Sequence, residues 1–176
     1  MLRILGLVFL FLFPVRLFAQ DVATMTTTEL IQTYVAIQDE LREREVTTSG
    51  NSLTGQLGEY LFIKAFEWEP AATSRAGFDA MEGSLRIQIK ARRLSQGGGN
   101  EQLGAIRDLD GFDVLAAILF SHEYEVVAAA LIPARIVRTH ADYSSHTNSW
   151  RLMFTDAVRG HPDVEDVSQH LRTIWF

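Results

Sequence analysis

Four side chains stand at spacings suited to handling a phosphate ester: Glu59, Asp79, Gln88 and Lys90. Gln88 and Lys90 are two apart in a segment where Leu85, Ile87, Ile89 and Ala91 alternate with Arg86, Gln88, Lys90 and Arg92. A strand of that period turns Gln88 and Lys90 to one face. A tight turn at Glu82-Gly83 makes 75–82 and 84–92 a hairpin, which sets the Asp79 region opposite Gln88. Glu59, on a helical stretch just before, adds a further oxygen donor. Carboxylate and amide oxygens suit a hard divalent cation such as Mg²⁺ (or Mn²⁺). Such an ion polarises a phosphate and lowers the pKa of bound water. A lysine beside it can stabilise the charge that grows on the phosphate.

The order and identity of Gly58-Glu59, Gly77-Phe78-Asp79 and Gln88-Ile89-Lys90 resemble the PD-(D/E)xK nuclease superfamily. The resemblance implies a restriction-endonuclease-like α/β fold with a central mixed four- to five-stranded sheet flanked by helices. It implies a divalent ion held by Asp79 and Glu59, with Gln88 at the (D/E) position and Lys90 as the catalytic lysine. DNA is the implied substrate, and a homodimer the implied assembly, because two sites then reach two strands. The pattern covers about 35 residues directly, in keeping with a site built from local elements. Two positions depart from it: Phe78, not proline, precedes Asp79, as in many other members, and Gln88 replaces an acidic residue. An amide carbonyl can ligate Mg²⁺ but brings no charge, so the ion is held less tightly. The same fold without cleavage, as a module binding nucleic acid or protein, is the alternative.

The formal charge is −6, whereas a protein that coats nucleic acid draws its affinity from positive charge. Contact with DNA then falls to a local strip, for which Arg86, Arg92 and Arg93 beside Lys90, with Arg75, are the candidates. The chain has fourteen arginines and two lysines, Lys64 and Lys90, so a lysine at the motif position stands out.

The elements that must carry these residues follow from period and punctuation. Leu30, Ile31, Tyr34, Ile37 and Leu41 predict a helix over 29–44, after a threonine cap. A second helix is predicted over 52–66, whose Gly55 and Gly58 point to close packing against a neighbouring sheet. The apolar runs 112–120 and 124–132 read as strands buried on both faces. A short helix after Pro133 to about His140, a strand over 150–154, and a helix over 163–171 capped by Asp163 complete the chain.

Residues 1–20 have a basic start, an apolar run too short to cross a bilayer and a small residue at Ala19, as in a secretory signal. The favoured reading is a misassigned start, with translation from Met25 and a single cytoplasmic domain over 25–176; a genuine signal would make the protein exported or periplasmic. No stable membrane span is expected. Other chemistries fall away. The chain has no cysteine, which removes thiolate zinc sites and cysteine nucleophiles. The glycines at 97–99 lack the Lys-Ser/Thr of a phosphate-binding loop. The five histidines lack zinc-ligand spacing, and Asp108, Asp110 and Asp113 lack the closing glutamate of a calcium loop.

Overall fold

The computed structural model describes residues 22–48, 52–72 and 77–174. The signal-like segment at 1–20 and Arg75 lie outside these. The chain divides into two compact units, 1–37 and 38–176.

The described part of the first unit holds a short 3₁₀ turn, Val22–Thr24, and the start of helix α1, Thr27–Glu43. Thr26 caps α1 reciprocally. Its Oγ1 accepts from the Glu29 N–H at 3.3 Å, and the Glu29 carboxylate accepts from the Thr26 N–H at 2.7 Å. This capping box satisfies backbone donors that the first helical turn leaves free, and it lowers the Glu29 pKa.

The second unit is a mixed α/β arrangement around a six-stranded sheet. Its further elements are α2, Leu53–Phe66; β1, Glu69–Pro70; β2, Ala80–Glu82; β3, Leu85–Arg93; β4, Val114–Phe120; and β5, Val126–Pro133. They are followed by α3, Ala134–His140; β6, Asp142–Ser144; β7, Ser149–Arg151; α4, Asp156–Arg159; β8, Glu165–Asp166; and α5, Ser168–Ile174. The sheet order is β1-β2-β3-β4-β5-β8. Among the described strands of this sheet only β3 and β4 run parallel; the other neighbours are antiparallel. The sheet exceeds the expected four or five strands because two-residue rungs, β1 and β8, are added at its edges. Such short pairings leave no periodic signal in a sequence.

The two faces of the sheet carry separate cores. Ile87, Ile89, Ala116 and Ile118 pack with Leu57, Leu61 and Phe62 of α2 and Leu171 of α5. Leu115, Ala117 and Leu119 pack on the other face with Ile136 and Val137 of α3. This alternation is why the run at β4 is apolar on both faces.

Three expectations are corrected. The hairpin's first strand is confined to Ala80–Glu82, where it meets Leu85–Ile87. Residues 149–154 do not extend the main sheet: β7 pairs with β6, and Trp150 and Met153 bridge Ile106 and Gln102 of the β3–β4 crossover. The closing helix begins at Ser168, not Asp163, because Glu165 and Asp166 are drawn into pairing with β5. Asp166 supplies the cap, its Oδ1 accepting from the Ser168 N–H at 2.8 Å.

Candidate functional site

The site residues meet where β2 and β3 part. β2 pairs with β3 as far as Ala80 opposite Ile87. The Asp79 N–H donates to the Ile87 carbonyl at 2.8 Å, and the Asp79 carbonyl accepts from Ala71 at 2.9 Å. Past that point, among the described residues, no strand pairs with this edge of β3. The Asp79 side chain takes the place of the missing rung. Its Oδ2 accepts from the Ile89 N–H at 2.7 Å and from the Gln88 Nε2 at 3.2 Å. Gln88 is 8% exposed, so its amide is held in this bond, while Asp79 and Lys90 are half-buried.

Glu59 reaches the same notch from α2. The helix lies hard against the sheet at the preceding residue: a Cβ on Gly58 would stand 2.8 Å from the Ala91 Cβ and 3.3 Å from Ile118 Cγ2. Only glycine permits that approach, and it carries the next residue toward the open edge of β3. Burial pushes the Glu59 carboxyl above its usual range, the charge of Asp79 pushes it further, and Lys90 partly offsets both. Asp79 and Lys90 are therefore near enough to act electrostatically on Glu59. Among the described residues, neither the Glu59 carboxylate nor the Lys90 ammonium has a hydrogen-bond or ion-pair partner. Lys90 is bordered by the crossover, where a Cβ on Gly104 would meet its Cδ at 3.7 Å.

The donor set fits a hard divalent cation in kind. Asp79 and the buried Gln88 amide are in direct contact, Glu59 lies within electrostatic reach of Asp79, and oxygen ligands are what Mg²⁺ and Mn²⁺ take. Asp79 Oδ1 and the Glu59 carboxylate would be the ligands left free by the internal bonds. Among the described residues no group of three or more histidine, cysteine, aspartate or glutamate side chains is poised for a metal. The third donor has to be the neutral Gln88 amide, which here gives its N–H to Asp79.

The arginines of the expected nucleic-acid strip are used unequally. Arg86 is paired with Asp113: its backbone N–H and Nε donate to Oδ2 at 2.9 and 3.1 Å, and Nη2 donates to Oδ1 at 2.9 Å. A further bond runs from Nη1 to the Asp110 carbonyl at 3.0 Å. The guanidinium holds the Asp113 carboxyl down to about 2. Arg93 stacks on Tyr124, 4.6 Å from the ring centroid, and donates through Nε to the His122 carbonyl at 2.8 Å. Arg92 is exposed and shares the strand face of Gln88 and Lys90. For Asp113, weighed in the sequence only as a calcium ligand, the ion pair with Arg86 was missed: its partner lies 27 positions away, and no local pattern links them.

The chain matches no protein-family model and no curated protein. Among the described residues no helix is long and apolar enough to cross a membrane.

Proposed function

We propose that this protein is a metal-dependent nuclease of the PD-(D/E)xK kind, with a restriction-endonuclease-like fold, that hydrolyses phosphodiester bonds in DNA. The observation that supports the reading is the Gln88–Asp79 bond at an open strand edge, with Glu59 of the helix within electrostatic reach of Asp79 and Lys90. A bound Mg²⁺ or Mn²⁺ would supply Lewis acidity and a more acidic water. Asp79 and Glu59 contribute the negative charge that retains the cation, and Gln88 fixes the Asp79 carboxylate. Lys90, unpaired within the fold, is available to a phosphate oxygen and stabilises charge developing there. The raised Glu59 pKa fits such a role, because a desolvated acid beside like charge gains most when a cation arrives. Arg92 is the exposed guanidinium on the same strand face and is assigned to the DNA backbone, while Arg86 and Arg93 are engaged within the fold.

Plasmid cleavage in Mg²⁺ or Mn²⁺ tests this. Asp79→Ala and Lys90→Ala should each lower the rate by at least about a hundredfold, the scale of losing one transition-state contact. Activity unchanged in both variants would refute the proposal.

A second reading rests on one observation: the Asp79 Oδ2 already receives two internal donors, as a purely structural aspartate would. On that reading the fold binds nucleic acid or a protein without cutting. It predicts DNA retention indifferent to EDTA and no cleavage in either metal, and hydrolysis abolished by EDTA would rule it out.

A further inference from the structure

Three chain segments converge around Asp79, and in each the contact that fixes the segment lies two residues from a residue already described. In the first, Gly77 precedes Asp79. Its backbone has φ +117°, which L side chains rarely adopt, and it packs directly on Gly111. A Cβ on Gly111 would stand 2.9 Å from Gly77 Cα and 3.2 Å from the Gly77 carbonyl oxygen. Both obstacles are backbone atoms, so neither can swing aside.

In the second segment, Gly111 precedes Asp113, and in the third, Arg86 precedes Gln88. Asp113 and Arg86 are joined by the three bonds to the carboxylate described above, and by the Asp113 N–H donating to the Arg86 carbonyl at 2.9 Å. The circuit then closes on itself: Gln88 to Asp79 through the amide, Asp79 to Gly77 along the chain, and Gly77 to Gly111 by contact. The remaining steps run from Gly111 to Asp113 along the chain, to Arg86 by the ion pair, and back to Gln88.

We infer that Arg86, Gly111 and Asp113 are positioning residues that fix the Asp79 carboxylate against β3. This rests on the reading of Asp79 as a site residue, and it reassigns Arg86 from a DNA contact to an internal strut. The crossover between β3 and β4 touches Gly77 closely: a Cβ on Gly77 would stand 3.2 Å from Gly111 Cα and 3.4 Å from its carbonyl oxygen. A side chain on Gly111 must push the Gly77 backbone away, and the displacement is carried over two residues to Asp79. Neutralising Asp113 loosens the same circuit from the opposite side without adding bulk.

The reporter is the Ile89 amide, whose N–H is held by Asp79 Oδ2. Hydrogen exchange at that amide, read by NMR on the full chain, is compared in the parent, Gly111→Ala, Asp113→Asn and Ser168→Ala. The last is a control of remote destabilisation, since Ser168 Oγ holds Ala129 on the far side of the sheet. Exchange at Ile89 should quicken by at least about tenfold in both clamp variants relative to the control, with β4 amides moving no more than the control does. Should Gly111→Ala fail to fold, Asp113→Asn alone decides. Ile89 protection equal to that of the control would overturn the inference. Mn²⁺ titration of the same samples separates the two claims. A parent that binds no Mn²⁺ counts against the nuclease reading, while the Ile89 result still decides the positioning.

Discussion

An ionised Glu59 is a cost to the folded chain at neutral pH. Its carboxyl is raised first by burial and then by Asp79, so the folded state binds its proton more tightly than the unfolded state does. The contribution from this group is fully present below the unfolded pKa and is lost as pH rises through the folded one. Glu59→Gln should therefore stabilise the protein at pH 7, and the gain should vanish near pH 4. Urea unfolding at the two pH values measures this; no gain at pH 7 would mean that burial does not dominate at Glu59. The same substitution removes a carboxylate from the proposed cation site, so stability and metal affinity should move in opposite directions. Asp113 behaves the other way round. Its pKa is depressed to about 2 by Arg86, so its contribution is present above the ordinary value of 3.8 and lost as pH falls through 2.

At the scale of elements, α2 and the 84–92 arm were legible in the sequence, because a helical stripe and a period-two alternation each leave a clear trace. Gly55 and Gly58 were both read as packing glycines, and only Gly58 is one. Gly55 meets no sheet residue, only Ser52 Oγ at 3.6 Å from an added Cβ. The two should separate experimentally: Gly58→Ala should cost about 1–3 kcal/mol through overpacking, while Gly55→Ala should be neutral or stabilising by up to about 1 kcal/mol. Thermal unfolding of both variants checks the contrast, and equal effects would contradict the helix–sheet approach described for Gly58. The crossover at 94–113 was not legible. It is held by backbone bonds to a distant segment, Leu103 to Leu152 and Ile106 to Trp150, each at 3.0 Å, and backbone pairing carries no residue signature. The start of α5 was misread because Asp163 after Pro162 has the composition of a cap, whereas Asp166 makes the bond. At the site, the types and order of Glu59, Asp79, Gln88 and Lys90 could be read from the chain. The bonds from Gln88 and Ile89 to Asp79 could not, nor could the engagement of Arg86.

For the molecule as a whole, the acidic balance of −6 is compounded by the internal use of Arg86 and Arg93. The parallel pairing of β3 with β4 has another consequence, for the order in which the molecule forms. β4 and β5 are joined by the short turn at 121–125, whereas β3 reaches β4 only after residues 94–113 have been laid across the sheet. Closing the longer loop costs more entropy before any contact repays it. The β4–β5 hairpin should thus belong to the folding nucleus and the Gly77–Gly111 contact to the last stage. In stopped-flow experiments Leu119→Ala, fully buried in β4, should slow refolding, while Gly111→Ala should mainly speed unfolding. Refolding slowed by Gly111→Ala in proportion to its loss of stability would instead put the crossover in the nucleus. With the expected order, the chain becomes a sheet before it becomes a site, and Asp79 is the last of the four residues to find its place.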